Sequence, residues 1–199
     1  MAPSTLLESA DNPYRSSVQW ETTVSRRTYT DADLVELRAF VGPRADHFLR
    51  KWLPRLEDPA SGDVGFSWIS LFFPVYWLGF RKMYKAMLLL LVVTLILTIA
   101  PQFVFVNLLK LERVPLGVAP IIGIMINFVC GLYGNAWYLN HAEATIARSK
   151  QEGHIGDQLL ITLMQRGGTS ALGIAAAFVL SVVFGAVGGV IIFLAHFAS

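Results

Sequence analysis

Three long stretches of the chain are apolar and free of charge. Residues 86–106, 116–139 and 171–197 contain no Asp, Glu, Lys or Arg. Because an α-helix rises about 1.5 Å per residue, roughly 20 apolar residues cross a hydrocarbon core of ~30 Å. The pattern therefore predicts an all-α membrane protein with three transmembrane helices. The second helix meets no breaker before Lys150, so its last turns should leave the membrane.

The uncharged segment 66–80 is a different case, because fifteen helical residues would reach only ~22 Å. Seven of its residues are aromatic: Phe66, Trp68, Phe72, Phe73, Tyr76, Trp77 and Phe80. Trp and Tyr favour the headgroup level of a membrane, and Pro74 would interrupt a helix. We expect a re-entrant or interfacial segment that enters and leaves at the same face. A short fourth span is the alternative.

Residues 1–65 are polar, and we expect them to form an N-terminal cytoplasmic arm with short amphipathic helices. No periodicity is visible in 1–29, which predicts an extended segment. Thr30 is a typical N-cap for a helix that Gly42-Pro43 would end. A second short helix is predicted over 43–52, followed by a linker over 54–65. The membrane domain is then 66–199.

Composition supports lipid as the solvent of this second region. The 199 residues are 54% hydrophobic and 15% charged, whereas soluble domains carry about 25% charged residues. The region 66–199 holds eight Lys and Arg against four Asp and Glu. Cytoplasmic loops are enriched in Lys and Arg, which predicts a cytoplasmic N-terminus and one cytoplasmic set of basic residues: Arg81, Lys82, Lys85, Arg148, Lys150 and Arg166. These charges lie beside the membrane and form no nucleic-acid signature.

A stripe of small residues marks the third span at intervals of four. It consists of Thr169, Gly173, Ala177, Ser181, Gly185 and Gly189. Small residues let helix backbones approach closely in lipid, where apolar attraction between helices is absent. We expect this small-residue stripe to be one continuous helix-packing face. Its partner is the second span, another copy of the chain or a different protein.

The second span carries a polar stripe formed by Asn127, Asn135, Tyr138 and His141, with Gly131 and Gly134 between them. Polar side chains in a membrane normally face protein or a water-filled cavity. One interpretation is a site for a headgroup, a quinone or an ion. The favoured interpretation is interhelical hydrogen bonding that fixes the packing. A further group is expected to anchor the protein at the membrane surface: Trp68, Tyr76, Trp77, Arg81, Lys82, Tyr84 and Lys85.

Motifs for catalysis or metal binding are missing from the sequence. It has one cysteine, Cys130, and no pair of histidines at His-x-x-x-His spacing, so a zinc site is not predicted. Neither the Gly-x-Ser-x-Gly elbow nor the phosphate-binding Gly-x-x-x-x-Gly-Lys loop occurs. We therefore predict no catalytic residues, no cofactor and no enzymatic activity.

Several short motifs lie within residues 40–170. They comprise Phe40-Val41-Gly42, residues 48–52, Phe66-Ser67-Trp68, Trp77-Leu78-Gly79-Phe80-Arg81-Lys82-Met83-Tyr84, Gly134-Asn135-Ala136-Trp137-Tyr138 and Gly167-Gly168-Thr169-Ser170. Together these motifs resemble a family of bacterial membrane proteins called domain of unknown function 2628. The aromatic stretch that ends in Arg-Lys-Met-Tyr is the most specific of these. The resemblance implies a multi-pass protein of the bacterial inner membrane and no mechanism.

The function expected from these features is interaction rather than chemistry. The leading hypothesis is a non-catalytic accessory, assembly or scaffold subunit of a membrane complex, with lipids and other membrane subunits as partners. The alternative is a small oligomeric channel or transporter, in which Asn127 and Asn135 would line a wet lumen. A third hypothesis, a lipid-acting enzyme, relies on Tyr138, His141 and Glu143 near the membrane edge.

Overall fold

The computed structural model describes residues 29–58, 62 and 64–198, of which 196–198 are described by their backbone alone. Within that part of the chain the regular structure is entirely helical. The helices are α1 Asp31–Val41, α2 Ala45–Glu57, α3 Trp68–Phe72, α4 Pro74–Phe80, α5 Tyr84–Gln102, α6 Val118–Gln151, α7 Gly156–Arg166 and α8 Ala171–Ala198. A π-helical turn, Phe103–Leu108, extends α5. The extended segment expected over 1–29 lies outside the described residues except for Tyr29.

Three helices are long and apolar enough to cross a membrane, which confirms the predicted fold class. They are Tyr84–Leu108, Val118–Gln151 and the apolar part of Gly156–Ala195, which is α8. The second helix has 34 residues and is therefore about 50 Å long. As expected, it extends well beyond a hydrocarbon core.

The first two helices follow the predicted signals, with one correction. Thr30 and Asp33 form a capping box at the start of α1, and Gly42 ends that helix at φ +79°. The predicted linker 54–65 is wrong at its beginning, because α2 continues through Pro54 to Glu57. Burial of Leu56, which is 4% exposed, explains the extra turn: packing outweighs the hydrogen bond that proline cannot donate.

The aromatic segment 66–80 forms two short helices rather than one. Pro74 is the first residue of α4, a position at which proline costs little. With five and seven residues, α3 and α4 reach only about 7 and 10 Å, so neither spans a bilayer. Helix α3 packs against α6, and α4 packs mainly against α8 and α5.

One hydrophobic core joins the polar N-terminal helices to the membrane helices. Phe40 from α1, Trp52 from α2 and Tyr138 from α6 are all fully buried in it. Helix α1 also contacts α7, and Lys150 at the end of α6 forms an ion pair with Glu36 at 2.7 Å. Residues 29–58 are therefore packed onto the same end of the molecule as α7.

Candidate functional site: a buried arginine and a groove between two membrane helices

A buried arginine occupies the junction between α2, α4 and α6. Arg81 follows α4 and is 3% exposed. Its guanidinium carbon lies 4.4 Å from the ring centre of Phe48 and 4.8 Å from that of Tyr138. A terminal nitrogen donates to the Tyr138 hydroxyl at 3.3 Å. Burial lowers the pKa of Arg81, because a charged group is poorly solvated in such a site.

Tyr138 is the centre of the surrounding aromatic cluster. Its ring lies 5.1 Å from Phe48, 5.4 Å from Trp52 and 5.9 Å from Trp77. Aromatic pairs at these separations and a cation over a ring face are both stabilising. The cluster thus fixes α2 and α4 against α6. It is a closed structural junction and does not line the cavity described below.

The predicted membrane-surface anchor is wrong for two of its members. Arg81 and Trp77 are 3% and 4% exposed because they belong to this aromatic cluster. Trp68, Tyr84 and Lys85 are exposed, whereas Tyr76 and Lys82 are half-buried. Of the seven predicted anchor residues, these five remain accessible for contact with the membrane surface.

The part of the polar stripe from Gly131 to Asn135 packs against residues 65–71, which include most of α3. Ser67 N–H donates to the Gly131 carbonyl, and the Asn135 side-chain amide donates to the Gly65 carbonyl, both at 2.9 Å. A Cβ on Gly134 would lie 2.6 Å from Ser70 Oγ, so this glycine is required for the close approach. This geometry agrees with the packing interpretation of the stripe at Asn135. Asn127 is half-buried.

The small-residue stripe of α8 divides into two parts. Gly173 and Gly79 bring the backbones of α8 and α4 into direct contact, and Ala177 is fully buried beside them. Ser181 is half-buried, while Thr169, Gly185 and Gly189 are exposed. Each four-residue step turns about 40° past a full rotation, so the stripe winds around the helix. Within this chain it is not the one continuous face that the spacing suggested.

A groove of about 1060 Å³ lies between α5 and α6. Its long apolar part is lined by Ala86, Leu89, Leu90, Val93 and Leu97 of α5 and by Met125, Ile126, Val129 and Cys130 of α6. Its other end, which we call the basic mouth, is lined by Lys82, Tyr84, Lys85, Asn140, His141, Thr145 and Arg148, with Met83, Trp137 and Ala144. The groove is therefore amphipathic along its length.

The basic mouth contains three cations and no acidic lining residue among the described part of the chain. Lys82 donates to the Gln165 carbonyl at 2.8 Å. Arg148 uses Nε for Glu152, at 3.1 Å. Hydrogen bonds from Arg166 and Arg148 lower the pKa of Glu152. Lys85 is exposed and forms no ion pair with any described residue.

Comparison with known proteins places residues 45–143 in one family model, which is described as protein of unknown function (DUF2628). This match confirms the resemblance expected from the sequence motifs over residues 45–143, whereas the motifs at 40–42 and 167–170 lie outside it. The matched region includes α2 to α5, all of the polar stripe and most of the basic mouth. No curated protein matches the chain. No solved structure matches it either.

Proposed function

Since the matched family has no known function, we propose from the geometry that this protein is a non-catalytic accessory, assembly or scaffold subunit of a bacterial inner-membrane complex. Its N-terminus is cytoplasmic in this proposal. The basic residues at the α4–α5, α6 and α7 ends support that orientation, because Lys and Arg favour the cytoplasmic side.

The main support for the proposal is the exposed part of the small-residue stripe at Gly185 and Gly189. A Cβ added at Gly185 or Gly189 would meet no atom within 4 Å. In the buried half of the same stripe, Gly173 already contacts the backbone of α4. Small residues on an open membrane-facing surface permit another helix to approach closely. The same sequence pattern thus serves one internal contact and leaves one surface for a partner helix.

The polar end of the molecule supports the same role. Helices α1, α2 and α7 are held on the end of α6 by the shared hydrophobic core and by the ion pair between Lys150 and Glu36. A partner docked on α8 would therefore be held in a fixed position relative to these polar helices. This is the property that an assembly or scaffold subunit requires.

The proposal is tested by replacing the exposed glycines with a large residue and measuring whether the protein still associates with its partners. The double substitution Gly185→Leu with Gly189→Leu should abolish co-purification of partner subunits, or of a differently tagged second copy, from mild detergent. Gly123→Leu is the matched control, because Gly123 also lies open on a spanning helix, α6. The proposal fails if the wild-type chain runs as an isolated monomer. It also fails if both variants retain their partners equally.

The channel alternative loses support at one of its two residues. Asn135 is 2% exposed and donates to the Gly65 carbonyl, so it is not available to line a wet lumen in this fold. The lipid-enzyme hypothesis is weakened similarly. Tyr138 is fully buried, and Glu143 accepts a hydrogen bond from the Tyr29 hydroxyl.

A further inference from the structure

The groove between α5 and α6 has the length of one membrane leaflet. Below the basic mouth, its lining runs from Ala86 to Leu97 on α5 and, on α6, from Met125 to Trp137, where the mouth begins. At about 1.5 Å per residue these stretches measure roughly 16 and 18 Å. Half of a hydrocarbon core of ~30 Å is about 15 Å. An acyl chain that enters at the basic mouth would therefore reach the bilayer centre within the groove.

The charges of the basic mouth are placed where a lipid phosphate would lie. Lys85 stands at the start of α5, and Arg148 stands on the polar extension of α6, at the same end of the groove. Lys85 has no ion-pair partner among the described residues. Arg148 engages Glu152 through Nε, which leaves its terminal nitrogens to donate to an anion. Lys and Arg at this depth attract anionic headgroups.

The charges of the basic mouth favour an anionic lipid over a protein helix as the occupant of the groove. Lys82, Lys85 and Arg148 line the mouth without an acidic residue among the described residues of its lining, so a helix would have to supply its own acidic group there. A membrane lipid carries both an alkyl chain for the apolar part of the groove and a phosphate for the mouth.

We propose that the α5–α6 groove binds one anionic phospholipid from the bilayer, with an acyl chain between the helices and its phosphate at Lys85 and Arg148. Asn140 and His141 line the mouth beside these cations and supply polar contacts to the headgroup. The site is independent of the exposed glycines on α8. Its outcome therefore does not depend on whether the protein assembles with a partner.

The first experiment measures the lipid preference of the wild-type chain. The purified protein is titrated in mild detergent with phosphatidylglycerol or with phosphatidylcholine of identical acyl chains, and bound lipid is counted by native mass spectrometry. We expect one tightly bound phosphatidylglycerol and an affinity for phosphatidylcholine lower by about 25-fold, since each cation near a membrane surface contributes about fivefold. Inorganic phosphate should not compete, because it lacks the acyl chain.

The second experiment distinguishes the contribution of the basic mouth to lipid binding from that of the apolar part of the groove. Lys85→Gln with Arg148→Gln should remove most of the preference for phosphatidylglycerol. Lys110→Gln with Arg113→Gln is the matched control, because it removes the same charge from the connection between α5 and α6 at the opposite end of these helices. Val93→Phe with Val129→Phe should reduce binding of both lipids by filling the apolar part.

Three results would overturn the proposal. One is equal affinity of the wild-type chain for the two lipids. Another is an equal loss of preference in the control pair Lys110→Gln with Arg113→Gln. The third is a photo-crosslinker at Val93 that joins the chain to a protein segment instead of a lipid. The titration of the wild-type chain tests the proposal even if a variant fails to fold.

Discussion

At the scale of single residues, Arg81 shows that tertiary contacts determine whether a charged side chain is buried or exposed. The sequence places it in a basic cluster with Lys82 and Lys85, where a surface position was the natural prediction. The structure instead encloses it between Phe48 and Tyr138. These two rings come from helices that are distant in sequence. The pattern around Arg81 alone therefore could not predict its burial.

Removing the Tyr138 hydroxyl should destabilise the protein through Arg81. Tyr138→Phe keeps the ring contacts but deletes the oxygen that accepts the Arg81 hydrogen bond at 3.3 Å. A lost hydrogen bond to a charged group costs about 1.5–3 kcal/mol, which we expect as the decrease in free energy of unfolding in mixed micelles. Tyr133→Phe, at an exposed position on the same helix, should change it little. An equal effect of the two variants would contradict the role of the hydroxyl.

A double-mutant cycle tests whether the two residues act as a pair. Arg81→Met removes the cation and retains a long apolar side chain. The Tyr138 hydroxyl then no longer accepts a hydrogen bond from a charged donor. If the residues are coupled, Arg81→Met with Tyr138→Phe should cost about 0.5–3 kcal/mol less than the sum of the single changes. Strict additivity of the three free energies of unfolding would show that the hydrogen bond contributes nothing.

At the scale of helices, the crossing of α4 and α8 depends on two glycines. A Cβ on Gly173 would overlap the Gly79 carbonyl, so even a methyl group must separate the two backbones. We expect Gly173→Ala to lower the free energy of unfolding by about 1–3 kcal/mol. Gly123→Ala, in open space on α6, should be neutral or slightly stabilising. Thermal unfolding of the two variants in one detergent makes the comparison, and equal melting temperatures would refute the close crossing.

The stability of the connection between α6 and α7 should decrease at acidic pH. Glu152 accepts from Arg166 and Arg148, and these bonds lower its pKa. A lowered pKa in the folded state adds stability that is present above the unfolded value of about 4.3 and is lost as the pH falls through the folded value. The protection factors of the α7 amides, which correct for the intrinsic pH dependence of exchange, should therefore fall in that acidic window. Glu152→Gln should show faster exchange already at pH 6, whereas Asp157→Asn should not.

Sequence patterns predicted the helices better than the contacts between them. The span positions, the cap at Thr30 and the break at Pro74 depend on local chemistry, and each agrees with the structure. The extent of α2 depends on burial of Leu56, which is a tertiary effect. The groove arises only when α5 and α6 lie antiparallel, so that Lys85 and Arg148 line the same groove. No pattern within one helix predicts such an arrangement.

At the scale of the whole molecule, the side of the membrane on which residues 29–58 lie decides the number of crossings. The structure keeps them at the α7 end. Lys51 donates to the Phe66 carbonyl at 3.0 Å, and the Phe40 carbonyl accepts from Gly168 at 2.7 Å. A spanning segment at 66–80 would separate Phe40 from Gly168, and likewise Glu36 from Lys150, by a bilayer. The packing therefore requires residues 58 and 153 to share one side of the membrane, with residue 112 on the other.

Accessibility of single cysteines to a membrane-impermeant maleimide measures this arrangement directly. Cys130 is buried and can be replaced by Ala to give a silent background. Glu112→Cys should react in intact cells, whereas Asp58→Cys and Gly153→Cys should react only after the membrane is permeabilised. With four spans, Asp58→Cys would react together with Glu112→Cys instead. Equal accessibility of Asp58→Cys and Gly153→Cys is thus the decisive result, because it tests the non-spanning α3–α4 segment and the shared core at the same time.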